Sequence, residues 1–275
     1  MQKKISLLVA GFIAGLGIVI GNPAQAGVPL NNLEGVGGAA FNPLAYPAGQ
    51  NADTNNSTIF SKPQFGAWYV ALPDVRVDWT AIGVAETIGD RLELSYGYEV
   101  ISPAGGNVHK NNIGAKLLVI KENSGETAWV PAISVGGIWK KTQNVPAGVN
   151  SAGGDFYAVA TKLIPQAPLP ILVSAGILAT DGHATGVFGY DPNYRATGFA
   201  NLDIIPISSL AFGVEYKQGP SFDDWKDSDY WNVHTAWFAN KNLTLVAAWV
   251  NAGNADSTST VGLGNGVVLS AQYAF

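Results

Sequence analysis

The chain has 275 residues, of which 47% are hydrophobic and only 13% are charged, and its formal net charge at pH 7 is −5. The charged fraction is about half of that usual in soluble domains, and the acidic balance argues against nucleic acid, whose binding depends on basic patches. The chain has no cysteine, which excludes thiol chemistry, disulfides and cysteine-ligated metal sites.

The N-terminus has the three-part layout of a secretory signal peptide. Lys3 and Lys4 precede an apolar run at 5–20, and residues 24–26 form a small-x-small cleavage pattern. An uncleaved helical anchor needs roughly 20 apolar residues, more than this run provides. The layout predicts that residues 1–26 are removed on export.

Beyond residue 26, apolar and polar residues alternate with a period of two, and no apolar stretch reaches membrane-helix length. An exported chain that crosses a membrane without helices has to close its sheet, because an open edge in lipid leaves backbone groups unsatisfied. The sequence therefore predicts an all-β fold: a transmembrane antiparallel up-and-down β-barrel of about twelve strands, with a range of about 10 to 14.

The N-terminal segment 27–63 does not follow this alternation. Two interpretations stay open. The segment adds a hairpin to the barrel, giving about fourteen strands, or it lies in the lumen as a plug.

The barrel proper is predicted over 64–275, in segments of about ten residues, the length that a tilted membrane strand needs. The predicted strands are 64–72, 75–88, 91–101, 111–121, 129–140, 155–164, 170–180, 197–205, 210–218, 231–239, 243–251 and 266–275. From the second strand onward, short and long links alternate, as periplasmic turns and external loops do in outer-membrane barrels. With the C-terminus in the periplasm, the long links lie outside.

Alternation within the strands separates a lipid face from a lumen face, because charge on the lipid face is costly at mid-depth. Ten charged residues, five of each sign, are predicted to line the lumen. They are Arg76, Asp78, Arg91, Glu93, Glu99, Lys116, Lys162, Asp203, Glu215 and Lys217. This balance predicts weak ion selectivity. Twelve strands lie between the filled small barrels and the water-filled large ones, so these charges either pair across the lumen and block it or leave a narrow path.

Tryptophans near the strand ends predict the two aromatic belts of a membrane barrel. They are Trp68, Trp129, Trp139, Trp231, Trp237 and Trp249. The alternative is a soluble β-sandwich with tryptophan in its core.

Four sequence segments resemble an uncharacterised family of exported proteins of Gram-negative bacteria that are thought to be outer-membrane barrels. These segments are 28–34, 40–47, 78–86 and 92–98. The resemblance extends over essentially the whole chain after residue 26. It implies a cell outer-membrane location and brings no substrate, cofactor or catalytic residue. The C-terminal strand is also similar to the signal that the barrel-assembly machinery reads, with Tyr273 and Phe275 at its aromatic positions.

The acidic loop Asp223, Asp224, Asp227 and Asp229 is a weak candidate for a divalent cation, since carboxylate oxygens suit such ions. It lacks the regular calcium-loop spacing, so a solvated loop that meets lipopolysaccharide is the favoured interpretation, and no metal or cofactor is predicted.

A lipid hydrolase would need a serine and a histidine on the lipid face. The only histidine in a predicted strand is His234, which is expected to face inward. The sequence thus predicts a non-enzymatic barrel that lets small solutes pass, surrounded by outer-membrane lipid and lipopolysaccharide. The alternatives are a non-conducting structural or surface-binding barrel and, third, a hydrolase.

Overall fold

The computed structural model describes residues 30–49, 59–103, 106–125, 128–183, 186–223, 225–258 and 260–275. The predicted signal peptide lies outside these residues. Within the described ranges, no helix is long and apolar enough to cross a membrane.

The chain forms a closed barrel of twelve antiparallel strands, which confirms the predicted fold. A separate two-stranded sheet, β1 (Leu30–Asn31) and β2 (Gly37–Gly38), precedes it. The barrel strands are β3 (Gln64–Leu72), β4 (Val77–Ile88), β5 (Leu92–Ser102), β6 (Val108–Ile120), β7 (Ala132–Gln143), β8 (Ala152–Ile164), β9 (Ile171–His183), β10 (Phe188–Ile207), β11 (Leu210–Lys217), β12 (Tyr230–Phe238), β13 (Leu243–Asn251) and β14 (Asn265–Ala274).

Each strand pairs with its sequence neighbours, and the sheet closes where the last strand meets the first. In this seam β14 runs antiparallel to β3, from Val267 opposite Ala71 to Ala274 opposite Gln64. Closure leaves no free edge among the barrel strands, so the ladder satisfies their backbone groups internally.

Side-chain burial alternates along the strands, as the sequence pattern predicts. On β14, buried and exposed residues alternate over all ten positions. Large apolar side chains lie exposed on the outer face around the barrel, among them Ile82, Ile113, Phe156, Ile177 and Leu269. The inner face carries most of the buried polar and charged residues.

Some strand bounds differ from the prediction for local reasons. Strands β7 and β9 begin directly after Pro131 and Pro170, because proline lacks the amide hydrogen that the ladder requires. Strand β10 has 20 residues and takes in much of the predicted loop 181–196. Its first part pairs with the end of β9 across two register shifts, so this hairpin continues past the regular ladder.

The two ends of the barrel are distinguished by their links. At the C-terminal end, where Phe275 lies, the links are 89–91, 121–131, 165–170, 208–209 and 239–242. At the opposite, distal end they are 73–76, 103–107, 144–151, 184–187, 218–229 and 252–264. The two longest distal links contact each other, since the Ser228 N–H donates to the Val261 carbonyl at 2.8 Å.

Candidate functional site in the barrel lumen

Residues 30–49, here called the luminal segment, lie inside the barrel. All of them are buried except Leu30, Ala39 and Phe41, which are half-buried. Strands β1 and β2 pair only with each other, so the hairpin is not part of the barrel sheet. The segment contacts opposite walls: the Ala40 N–H reaches the Glu215 carboxylate on β11 at 3.0 Å, and the Ala45 N–H reaches Thr161 Oγ1 on β8 at 2.8 Å.

Asn31 joins the luminal segment to both strands of the seam. Its backbone N–H donates to Gln272 Oε1 on β14 at 3.2 Å, and its side-chain amide donates to the Gln64 carbonyl on β3 at 3.0 Å. Its carbonyl accepts from Trp68 Nε1 at 2.9 Å. All these groups are buried, so leaving any of them unpaired would be costly.

A buried ion pair on β5 and β6 holds the middle of the segment. Lys116 Nζ lies 2.8 Å from Glu93 Oε2, and both side chains are almost fully buried. The Glu93 carboxylate also accepts from the N–H groups of Gly37 at 2.9 Å and Ala48 at 2.7 Å. The Lys116 ammonium donates to three carbonyls of the segment: Gly37 at 2.7 Å, Leu44 at 3.1 Å and Tyr46 at 2.8 Å. Such charge-assisted bonds are the strong ones in a protein interior.

On the far wall, the Glu215 carboxylate binds the turn that follows β2. It accepts from three consecutive backbone N–H groups: Ala40 at 3.0 Å, Phe41 at 3.2 Å and Asn42 at 3.1 Å. Two asparagine side chains on the neighbouring strands, Asn201 at 3.1 Å and Asn232 at 2.6 Å, also donate to it. Protein N–H groups thus supply the hydrogen bonds that water would otherwise donate to this carboxylate.

The segment adds its own charge, Glu34, to a network of wall residues. Glu34 Oε1 lies 2.8 Å from Lys110 Nζ and 2.5 Å from Lys140 Nζ. Lys110 also pairs with Glu99 at 3.1 Å, and Lys140 with Asp155 at 2.6 Å. Burial by itself raises the pKa of Glu34, but the attraction of Lys110, Lys140 and Lys217 outweighs it and holds this pKa well below the usual range of a carboxyl. Glu34 is therefore ionised inside the barrel at neutral pH.

This lowered pKa predicts how Glu34 contributes to stability at different pH. A carboxyl whose pKa is lower folded than unfolded stabilises the fold above its unfolded pKa, and loses this effect only as the pH falls toward the folded value. We expect Glu34→Gln to lower the free energy of unfolding at pH 7 by roughly 1–3 kcal/mol, and with it the unfolding temperature. Most of that difference should persist at about pH 4. Heat-dependent mobility on SDS gels measures it, and a difference that vanishes by pH 5 would contradict it.

Glycine permits the segment to touch the wall. Gly35 has a φ of +88°, and a Cβ there would lie 2.6 Å from the Tyr96 carbonyl oxygen. On the wall, a Cβ at Gly97 would lie 2.2 Å from the Glu34 carbonyl oxygen, and one at Gly83 would lie 2.7 Å from the Gly35 Cα. Side chains at these wall positions would therefore push the segment away.

The structure places the ten residues predicted to line the lumen in three settings. Glu93, Glu99, Lys116 and Glu215 are buried on the inner face, and Asp203 and Lys217 are half-buried there. Lys162 is near the C-terminal end, where it pairs with Glu122 at 3.0 Å. The other three lie outside the lumen.

Arg76, Asp78 and Arg91 are corrections to the prediction. Arg76 is exposed in the link before β4, with a φ of 54°. On β4, Val77 and Trp79 face inward, so Asp78 faces outward, where it accepts from the Tyr69 hydroxyl at 2.6 Å. Arg91 precedes β5, is exposed, and donates at 2.9 Å to the carbonyl of Leu118.

The sequence interpretation missed Glu34, Lys110, Lys140 and Asp155 as interior charges. The predicted link 102–110 took Lys110 out of its strand, and Asp155 stood at a predicted strand start. Strand alternation could have identified two of these charges. Lys110 lies on the same face as the inward Lys116, and Lys140 directly follows the outward Trp139 and so faces inward. Glu34 had no such signal, because its segment does not alternate.

The predicted aromatic belt requires one correction. Trp68 is buried on the inner face, because Gln64, Gly66 and Val70 of the same strand also point inward. Trp139, Trp231 and Trp249 are exposed on the outer face, and the last two make an edge-to-face contact at 5.0 Å. Trp237 is half-buried, and Trp129 is 77% exposed in the link before β7.

At the C-terminal end, Tyr273 and Phe275 lie exposed on the outer face, with their ring centroids 4.9 Å apart in an edge-to-face contact. These are the two residues of the predicted assembly signal.

The acidic loop does not bring its carboxylates together. Asp223 pairs with Arg195 at 3.1 Å, Asp229 accepts from the Tyr216 hydroxyl at 2.6 Å, and Asp227 is buried. Asp224 lies outside the described residues. The part of the chain that the structure describes contains no group of three or more His, Cys, Asp or Glu able to hold a metal ion.

His234 faces the interior on β12. Its Nε2 lies 2.8 Å from Asp203 Oδ1 and its Nδ1 lies 2.8 Å from Asn232 Oδ1. Both ring nitrogens are thus engaged with wall side chains on the inner face of the barrel.

A family model described as "Protein of unknown function (DUF3034)" matches residues 25–272. None of the curated proteins compared with the chain matches it.

Among solved structures, the KdgM porin superposes with a TM-score of 0.54 at 13% identity, covering 77% of this chain and 99% of the porin. The same porin in complex with disordered oligogalacturonate gives 0.51 at 12% identity, with 77% and 99% covered. The NanC porin gives 0.53 at 8% identity, with 78% and 98% covered. At these identities the likeness concerns the fold alone.

Proposed function

The chain belongs to the family described as protein of unknown function (DUF3034), and we propose that it is an outer-membrane barrel acting as a narrow, porin-like channel for small solutes. The observation that carries this proposal is the contrast between the two faces of a closed sheet. Large apolar side chains are exposed outside, whereas charged side chains line the inside. Such a distribution suits lipid around the barrel and a hydrated path through it.

The outer face also supports the proposed setting. Exposed Trp139, Trp231 and Trp249 suit the interfaces of a bilayer, where aromatic rings concentrate. Tyr273 and Phe275 lie where an assembly factor can reach them. We therefore propose outer-membrane lipid and lipopolysaccharide as the surroundings and the barrel-assembly machinery as a transient partner.

In the channel hypothesis, the luminal segment is the gate. It occupies the lumen between opposite walls, so a solute passes only when the segment moves or along its side. The wall charges that would then meet water are nearly balanced: Lys110, Lys116, Lys140 and Lys217 against Glu93, Glu99, Asp155, Asp203 and Glu215. Balanced charge favours weak ion selectivity.

The wall does not favour a polyanion such as the oligogalacturonate named with the KdgM porin. Arginine is the residue best suited to hold carboxylates in a fixed geometry. The chain has three arginines. Arg76 and Arg91 lie in links, and Arg195 lies in the distal part of β10, where it pairs with Asp223, away from the middle of the lumen. Small neutral or singly charged solutes are the better candidates.

The test is a planar bilayer recording of the refolded protein. We expect small, discrete current steps and a reversal potential close to zero in a salt gradient, because the lumen charges balance. A strong preference for cations or anions would contradict the proposed path along these residues.

The non-conducting alternative rests on the same segment, because ion pairs and charge-assisted hydrogen bonds hold it in place. If the full chain and a variant without the segment are both silent in bilayers, this alternative replaces the channel. A lipid hydrolase has less support, since His234 faces inward and both its ring nitrogens are engaged.

A further inference from the structure

A cavity lies in the distal half of the barrel, between the luminal segment and the wall formed by β3, β4 and β13. The space in it that the centres of water-sized molecules can occupy is about 60 Å³. Its lining is mainly apolar, with three residues from the segment and the rest from the wall and the last distal link. The apolar lining residues are Leu33, Phe41, Val70, Leu72, Trp79, Val250, Ala252 and Leu263.

The polar residues that line this cavity are Glu34, Lys110, Lys217 and the buried Tyr230. Glu34 and Lys110 satisfy each other at 2.8 Å. Lys217, at the end of β11, also lines the cavity, and within the described residues its ammonium makes no hydrogen bond and has no carboxylate within 4.0 Å. Glu34 and Asp155 attract it only from a longer distance.

A second group is left without a partner on the opposite wall. Trp79 is 7% exposed, and its indole Nε1 has no acceptor among the residues that the structure describes. Buried donors are nearly always satisfied, so a cavity lined by an unpaired indole N–H on one wall and an unpaired ammonium on the other points to a ligand with acceptor oxygens.

We propose that this cavity binds a small apolar monocarboxylate, with its carboxylate at Lys217 and its hydrocarbon or aromatic body against β3, β4 and β13. A cation is disfavoured because Lys217 is the charge that lacks a partner. A sugar is disfavoured because its hydroxyl groups would be stranded against Val70, Leu72 and Val250. A largely apolar pocket with a few placed polar groups is the usual form of a small-molecule site.

This inference names the class of solute for the proposed channel. It rests on the proposed function only in taking the bound ligand to be the solute that is transported. The ligand would contact Leu33, Glu34 and Phe41 of the luminal segment. Binding can be measured in the closed protein, where no current is needed. Failure to bind and failure to conduct are therefore separate results.

The experiment is calorimetric titration of the refolded chain in detergent with 3-phenylpropanoate, corrected for partition into empty micelles. Its uncharged counterpart, 3-phenylpropanamide, is titrated in parallel. We expect the carboxylate to bind at least about tenfold more tightly than the amide, because a hydrogen bond to a charged group is worth that much. Lys217→Met should abolish this preference while leaving the weak binding of the amide.

The matched control is Lys121→Met, which removes an exposed lysine of the C-terminal end and should leave both affinities unchanged. Trp79→Phe keeps an aromatic ring and removes the N–H donor. We expect it to weaken binding of the carboxylate less than Lys217→Met does. Folding of each variant is checked by heat-dependent gel mobility. If Lys217→Met does not fold, the affinities of the acid and the amide for the unchanged chain and for Trp79→Phe still test the proposal. Absence of binding, equal affinity for acid and amide, or unchanged affinity in a folded Lys217→Met variant would overturn the proposal.

Discussion

Deleting residues 30–49 is expected to raise the single-channel conductance several-fold while leaving the barrel folded. The barrel strands form no ladder with β1 or β2, so the barrel sheet does not depend on this hairpin. The wall charges that bind the segment, notably Glu93, Lys116 and Glu215, would face water in its absence. Charged groups that regain water avoid the cost of an unpaired charge in a dry interior.

A point variant tests the same idea without shortening the chain. Gly97→Leu places a side chain where even a Cβ would lie 2.2 Å from the Glu34 carbonyl oxygen, so the segment has to move. The matched control is Gly198→Ala on β10, where the nearest atom to a new Cβ is a side-chain oxygen 3.8 Å away. We expect larger or more frequent openings for Gly97→Leu and currents like those of the parent for Gly198→Ala.

Unchanged small currents in both the deletion and Gly97→Leu would mean that the segment does not limit conduction. Silence in every variant would favour the structural barrel instead.

Lys116→Met is expected to cause the largest loss of stability among single substitutions. It leaves the Glu93 carboxylate buried without its cation and removes the donor for the carbonyls of Gly37, Leu44 and Tyr46. Breaking a buried ion pair by removing one partner costs about 3–5 kcal/mol. The temperature at which the folded band converts to the unfolded band on SDS gels should fall markedly.

The control is Lys121→Met. Lys121 and Asp90 form an exposed pair at 4.0 Å, and such pairs contribute roughly 0–1 kcal/mol. Adding Glu93→Gln to Lys116→Met should recover part of the loss, since the stranded charge is then gone. Equal unfolding temperatures for Lys116→Met and Lys121→Met would contradict the anchoring role of Lys116.

The fold could be predicted because the patterns that encode it, alternation within strands and the lengths of the links, are local in the sequence. Period-two alternation and link lengths place all twelve barrel strands, and β3 and β13 begin and end at the predicted residues. The errors occur where the two faces do not differ in polarity. Near the distal end of β3 and β4 the inner wall is apolar, with Val70, Leu72 and Trp79 lining the cavity, and Trp68 faces inward against Asn31.

The rule that polar residues face the lumen therefore fails for Asp78. This residue lies near the rim of the barrel and bonds to Tyr69, where an outward charge costs little. For the luminal segment, the sequence left a lumen plug as one of two interpretations, but the contacts that hold the segment could not be predicted. Its contacts link residues far apart in sequence, such as Ala40 and Glu215, and no local pattern encodes them.

The position of Asn31 has a consequence for biogenesis. It bonds to Gln64 and Trp68 on the first barrel strand and to Gln272 on the last, so its complete set of partners exists only after the sheet has joined end to end. A truncated or unclosed chain offers Asn31 the partners of only one of these two strands. Docking of the N-terminal hairpin therefore requires a closed sheet, and an unclosed barrel would leave this hairpin undocked and open to proteases.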